Sequence, residues 1–177
     1  MTLEQFKKSD FEEIWEIMEY SFPACERRSH DGQKQLFDRP EYRIFGCRTD
    51  GKIDAFLSCW ELSGFYFLEH FAVAEQSRNR GLGAKILREV LAGLDGMVVL
   101  EVEPPEGTLQ KRRISFYERN GFVLNEYPYI QPELSKGAGM LPLLLMTRPG
   151  SLTDEAFEKT GRELYEKVYQ TEWRQFV

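Results

Sequence analysis

The sequence predicts a mixed α/β domain, an α+β arrangement of strands and helices, followed by a C-terminal helix. Two observations carry this prediction. Short β-branched or aromatic runs are typical of strands, and between them apolar residues recur every three to four positions, as on one face of a helix. The chain has 177 residues and a hydrophobic fraction of 42%, which suits one globular domain with a substantial core.

The first half of the chain combines one long helix with a series of strands. Asp10 stands at the N-cap position of an amphipathic helix that ends near Pro23. The dipeptide Asp50-Gly51 lies between two strand-like runs and is a hairpin signal. The aromatic run that follows is too long for a surface loop and predicts a central strand. The predicted strands are 2–8, which would form an edge, 42–48, 52–62 and 65–73.

The second half of the chain alternates strands and helices. A helix is predicted to begin at Gly81, and its apolar repeat ends at Gly93. Thr108 can cap a further helix that closes at Gly121. The predicted strands are 97–102, 122–127 and 140–147.

A boundary near Pro149 divides a domain of residues 1–148 from a helical extension of residues 149–177. Thr153 can cap the helix of the extension, and Leu152 can pack on Phe157 as a hydrophobic staple. The helix has an apolar side. We therefore expect it to pack on the domain or on a second copy of the chain, as in a homodimer.

Composition and charge exclude several classes of function. The formal net charge is −6, so no overall positive field favours nucleic acid as a partner. The most apolar run, residues 140–146, is far shorter than the roughly 20 residues that span a bilayer, so no membrane partner is expected. The N-terminus lacks the pattern of a secretory signal, which predicts a cytoplasmic protein. The widely spaced Cys25, Cys47 and Cys59 predict reduced thiols and no metal site.

A glycine-bearing turn precedes the helix that begins at Gly81. Its sequence is Arg78-Asn79-Arg80-Gly81-Leu82-Gly83-Ala84. Backbone N–H groups at a helix N-terminus lack intrahelical partners and bind anions, and the two arginines add positive charge. The turn matches neither a dinucleotide fingerprint nor a P-loop. It predicts a phosphate cradle, with a glycine-assisted helix start and two solvated arginines as the alternative.

Two motifs resemble those of the GNAT acetyltransferase family. The run Leu68-Glu69-His70-Phe71-Ala72-Val73, followed by Arg78-x-x-Gly81-x-Gly83, resembles the family's central strand and its Q/R-x-x-G-x-G/A motif. Downstream, Phe116-Tyr117-Glu118-Arg119-Asn120-Gly121-Phe122 resembles the family's F-Y-E-x-x-G-F helix end. The resemblance covers roughly residues 1–148. It implies a central mixed, mostly antiparallel sheet flanked by helices, acetyl-CoA or a related acyl-CoA as donor, and a small-molecule or peptide amine as acceptor.

The resemblance also implies which residues bind coenzyme A. The central strand would diverge from the next strand, and its backbone at Phe71, Ala72 and Val73 would bond the pantetheine arm. The amides of residues 79–84 would take the pyrophosphate. Arg113 would touch the coenzyme from the later helix, with a merely solvated basic turn as the alternative. The link at 103–114 is longer than in many relatives, which leaves the placement of acidic residues near the thioester open.

Three residues are candidates for catalysis. Deprotonating an aliphatic ammonium at pH 7 costs roughly 4 kcal/mol, and a carboxylate can take that proton during attack. Glu101 is the first candidate, because the resemblance implies a catalytic glutamate there, and Glu69 is the second. Binding of a cationic substrate is the alternative role for both. Tyr117 matches the family's general-acid tyrosine, with helix packing as its alternative. A non-catalytic acyl-CoA sensor is the rival function.

Overall fold

The computed structural model describes residues 1–173, and within them a single sheet of seven strands forms the centre of the fold. The strands are β1 (Glu4–Gln5), β2 (Tyr42–Thr49), β3 (Lys52–Leu62), β4 (Phe65–Val73), β5 (Met97–Val102), β6 (Val123–Gln131) and β7 (Leu141–Arg148). Their order is β1-β2-β3-β4-β5-β7-β6. β4 and β5 pair in parallel, and every other neighbouring pair is antiparallel. The predicted mixed, mostly antiparallel sheet is confirmed.

Helices cover both faces of this sheet. They are α1 (Phe11–Ser21), α2 (His30–Gln35), α3 (Leu82–Ala92), α4 (Thr108–Glu118) and α5 (Asp154–Glu163), the last continued by a π-helical turn, Leu164–Val168. Because successive side chains of a strand point to opposite faces, the side chains of β5 pack into two hydrophobic cores, one on each face of the sheet. Val99 packs with α1 and the extension, whereas Val98 and Leu100 pack with α3 and α4.

The two central strands diverge halfway along their length. Their pairing begins at Phe65 with Met97 and ends at Leu68 with Leu100, while β4 continues to Val73. The divergence coincides with a bulge, because Glu69 and His70 together face the single residue Ser58 of β3. A bulge bends its strand and increases the local twist. The inner edges of β4 and β5 beyond this point therefore keep free backbone groups.

Some helix starts and strand ends differ from the sequence prediction. The edge strand is only Glu4–Gln5. Asp10 is the N-cap residue of α1, as predicted, but its carboxylate accepts the Lys7 N–H at 2.7 Å and makes no capping hydrogen bond to α1. The N-cap of α4 is Gly107 and not Thr108. The Gln110 side chain folds back over Gly107, so a Cβ there would collide with it. The predicted cap Thr153 is confirmed, since its hydroxyl accepts the N–H of Ala156 at 3.2 Å.

Residues 149–173 of the extension pack on the sheet. Leu152, Phe157 and Leu164 are buried in the same core as α1. The Phe157 ring stacks on Tyr127 of β6 with 4.5 Å between centroids. No helix within residues 1–173 is both long and apolar enough to span a membrane.

Candidate active site

A cavity of about 250 Å³ opens where β4 and β5 diverge. Its walls bring together residues from seven parts of the sequence: the end of α1 with the loop after it, the central strand β4, the turn before α3, the end of β5, α4, β6 and β7. The lining includes many of the residues predicted from sequence, namely Glu69, Phe71, Ala72, Val73, Arg78, Glu101, Arg113 and Tyr117. The free strand edges and the cavity therefore coincide.

The predicted phosphate turn lies at the N-terminus of α3. Gly81 is the N-cap with φ 70°, and Asn79 also has a positive φ of 62°. A Cβ on Gly83 would stand 3.6 Å from the side chains of Phe71 and Val73, so the first turn of α3 lies against β4. The N–H groups that open α3, those of Leu82, Gly83 and Ala84, have no intrahelical partners. Arg80 is exposed beside them, so the start of α3 combines N–H donors and positive charge next to the cavity, an arrangement that suits an anion.

Arg78 connects this turn to the central strand. Its Nε donates to the carbonyl of Val73 at 3.0 Å, and its guanidinium lies 5.8 Å from the ring of Tyr20. Arg78 itself lines the cavity. A positive charge therefore stands between the cavity and the helix N-terminus.

Glu101 is held by two tyrosines. The hydroxyl of Tyr129 donates to Oε1 at 2.5 Å, and the hydroxyl of Tyr169 lies 2.7 Å from Oε1 and 2.8 Å from Oε2. Burial raises the pKa of Glu101 to about 7, against the opposing effect of the two hydrogen bonds. A carboxyl with this pKa gains and releases a proton near neutral pH.

Glu69 is committed to a buried ion pair. Arg28 lies 2.8 Å away, and the indole N–H of Trp60 donates to the carboxylate at 2.8 Å. Burial alone would raise the pKa of Glu69, but the positive charge of Arg28, the neighbouring His70 and the hydrogen bonds from Trp60 and Arg28 together outweigh it and hold the pKa below its ordinary value. Glu69 therefore stays ionised and is occupied by its counter-ion.

Tyr117 brings a hydroxyl to the cavity from α4. Burial raises its pKa to about 12, so the hydroxyl keeps its proton at neutral pH. The ring packs between Phe116 and Phe122, with centroids 5.2 Å and 5.8 Å away. Its packing leaves the hydroxyl available as a proton donor to a group in the cavity.

One end of the cavity carries an excess of carboxyl groups. Glu26 and Glu103 line it together with Glu101, and Arg113 is bound to Glu103 at 3.1 Å. Burial raises the pKa of Glu26, and the negative charge of Glu103 raises it further. This concentration of acidic groups favours a cationic ligand.

Comparisons with known proteins identify the family. A family model described as an acetyltransferase (GNAT) domain matches residues 40–124. The chain is also 31% identical to a protein of Bacteroides thetaiotaomicron described as a GNAT-family acetyltransferase, with 97% of this chain and 100% of that chain covered and a TM-score of 0.88. The chain belongs to the GNAT acetyltransferase family. The family assignment implied by the two motifs is thus confirmed.

More distant GNAT structures share the fold. The ribosomal-protein-S18-alanine N-acetyltransferase of Escherichia coli is 22% identical, with a TM-score of 0.64 and coverage of 87% of this chain and 96% of that one. NAA60 of Arabidopsis thaliana, solved with acetyl-CoA, is 16% identical, with a TM-score of 0.63 and coverage of 82% and 96%. YjbC of Bacillus subtilis, described as an acetyltransferase, is 25% identical over 112 residues, or 62% of this chain. The match spans only 58% of the length of YjbC.

Four residues of this GNAT cavity and its surroundings escaped the sequence prediction: Arg28, His70, Tyr129 and Tyr169. Strand alternation would put His70 on the face opposite Glu69, but the bulge brings both to one side. His70 Nε2 donates to the carbonyl of Glu26 at 2.7 Å, and burial lowers the pKa of His70, so its ring is neutral. No sequence motif pointed to Arg28, Tyr129 or Tyr169.

Proposed function

We propose that this protein transfers an acetyl group from acetyl-CoA to a primary amine, by direct attack of the amine on the thioester. One observation carries the proposal: Glu101, with a pKa of about 7, and Tyr117, with a pKa of about 12, line the same cavity. One group suits the acceptance of a proton and the other suits its donation at neutral pH. A sensor would need the coenzyme cradle but not this pair.

The donor would bind along the open edge of β4 and at the start of α3. Free backbone groups of Phe71, Ala72 and Val73 suit the amide groups of a pantetheine arm, which would add to the sheet like a strand. The amides of residues 79–84 suit a pyrophosphate, and Gly83 keeps side-chain atoms away from it. Arg113 would contact the coenzyme from α4. These residues fit acetyl-CoA, whose thioester would supply the activated acetyl group.

The chain's own groups would move two protons. Glu101 would take one from the acceptor ammonium, directly or through water, which frees the nitrogen lone pair to bond to the acetyl carbon. The second proton that the nitrogen loses as the amide forms would pass to water. Tyr117 would give one to the sulfur as the carbon–sulfur bond breaks and coenzyme A leaves. Glu69, which is paired with Arg28, would act as a fixed charge in the wall of the cavity and not as the base.

The acceptor would be a cation. The cavity is lined by three glutamates that could meet the acceptor: Glu26, Glu101 and Glu103. Within residues 1–173, Glu103 is the only one of these three that forms an ion pair. An ammonium group suits this environment, whereas an anionic acceptor would be repelled. A small-molecule amine and a peptide amine both fit this description.

A panel of acceptors tests the proposal. Purified protein is incubated with acetyl-CoA and primary amines, including small amines, polyamines and peptides, and both thiol release and acetylated product are measured. N,N-dimethylated forms of the same amines are matched controls, because they keep the charge and cannot form an amide. We expect transfer to at least one primary amine and none to its dimethylated form. Tight binding of acetyl-CoA by calorimetry without turnover across the panel would favour the sensor.

A further inference from the structure

The C-terminal extension reaches the cavity through a single side chain. Tyr169 follows directly after the π-helical turn, and its hydroxyl meets both oxygens of Glu101. Tyr129 reaches the same carboxyl from β6. Burial, together with the charge of Glu101, raises the pKa of each tyrosine well above its ordinary value. Both hydroxyls therefore remain protonated donors.

The position of Tyr169 is fixed by its neighbours. Its N–H bonds to the carbonyl of Leu164 at 3.1 Å, which closes the wide π-helical turn. Arg28 donates to the carbonyl of Val168 at 3.3 Å, and Arg39 donates to that of Lys167 at 3.1 Å. Turns of this kind are frequent at functional sites. The extension is thus anchored directly before the residue that contacts Glu101.

Arg28 ties this anchor to the centre of the site. It pairs with Glu69 and also bonds the backbone of Val168. The segment Val168–Tyr169 is therefore linked to two carboxylates of the site. Val168 binds Arg28, which pairs with Glu69, and Tyr169 binds Glu101 directly. Neither contact depends on residues of the coenzyme cradle.

We propose that Tyr129 and Tyr169 are positioning residues that hold the Glu101 carboxylate toward the acceptor amine, which makes the C-terminal extension part of the active site. The inference rests on the proposed function for the role of Glu101. Two donors fix the orientation of the carboxylate and favour its ionised form. Without them the carboxyl would bind its proton more tightly and turn more freely.

Other charged groups near Glu101 also influence its pKa. Glu69 on β4 raises its pKa, and Arg28 lowers it. The cavity wall adds the titratable or charged groups Glu26, His70, Glu103, Arg113 and Tyr117. Removing a tyrosine hydroxyl changes none of these charges.

Titration of Glu101 in the absence of any acceptor tests the inference. Protein labelled with ¹³C in the glutamate carboxyls is followed by NMR across pH, and Glu101→Gln assigns the signal. Tyr129→Phe and Tyr169→Phe keep the rings and remove the hydroxyls. We expect each to raise the Glu101 midpoint by about one pH unit, and the acid limb of kcat/KM to move with it.

Tyr127→Phe is the matched control. Its hydroxyl bonds to Asp154 and to the carbonyl of Leu152, so the variant loosens the extension without touching Glu101. An unchanged midpoint in Tyr169→Phe, or an equal shift in Tyr127→Phe, would overturn the inference. Absence of transfer by the wild-type protein would overturn the proposed function instead, and the titration would still report whether the two hydroxyls hold the carboxylate.

Discussion

Replacing Glu101 by glutamine should change how the stability of the protein depends on pH. Burial raises the pKa of Glu101 from an ordinary 4.5 to about 7, so between these values the folded protein binds a proton that the unfolded chain releases. The free energy of unfolding therefore falls as pH rises through this interval, by about 3 kcal/mol for full burial. Water in the cavity reaches one side of this half-buried residue, which reduces the expected effect to about 1–2 kcal/mol.

Urea unfolding followed by tryptophan fluorescence measures this effect. The free energy of unfolding is compared between the wild-type protein and Glu101→Gln at pH values from about 5 to 8. The variant should gain about 1–2 kcal/mol relative to wild type over that range, because it has no carboxyl to ionise. Glu106→Gln, at an exposed position, controls for the loss of one negative charge. A difference between wild type and Glu101→Gln that stays constant across pH would refute the reasoning.

Three further predictions concern the donor site, the proton donor and the extension. Gly83→Val should weaken acetyl-CoA binding at least tenfold in calorimetry, because the branched side chain would clash with a pyrophosphate on the amides at the start of α3; the protein should stay folded, because a Cβ there makes only an ordinary contact with Phe71 at 3.6 Å. Tyr117→Phe should lower kcat on the order of 10²-fold with an unchanged Kd for acetyl-CoA, and a near-normal kcat would make Tyr117 a packing residue. Phe157→Ala should cost about 3 kcal/mol and lower Tm, because the ring is buried and stacks on Tyr127; an unchanged Tm would mean that the extension is loosely held.

Features that depend on neighbours in the sequence were predictable. The start of α3 at Gly81 follows from a glycine turn before an apolar repeat, and the cap at Thr153 follows from its place before the apolar residues of α5. Thr108 was the wrong cap: it is the first residue of α4, and Gly107, whose backbone is extended, stands at the N-cap position. A threonine near a helix start therefore indicates the start of α4 to within one residue and not the capping position itself.

Features that join distant parts of the chain were not predictable. The bulge at Glu69 depends on the register with β3, which alternation in β4 alone does not reveal. The contacts of Glu101 with Tyr129 and Tyr169 bridge 28 and 68 residues. The sequence nominated Glu101 and Tyr117 as a pair, but the partners that tune the carboxylate come from elements outside the two motifs. A homodimer and a cytoplasmic location stay predictions.

A crystal structure of the protein with acetyl-CoA tests the central claim most directly. We expect the pyrophosphate on the amides at the start of α3, the pantetheine arm along Phe71 to Val73, and the thioester in the cavity. The sulfur should lie within hydrogen-bond reach of the Tyr117 hydroxyl, with the carbonyl carbon open to an amine next to Glu101. Coenzyme bound away from the diverging ends of β4 and β5, or a thioester beyond the reach of both side chains, would contradict the account.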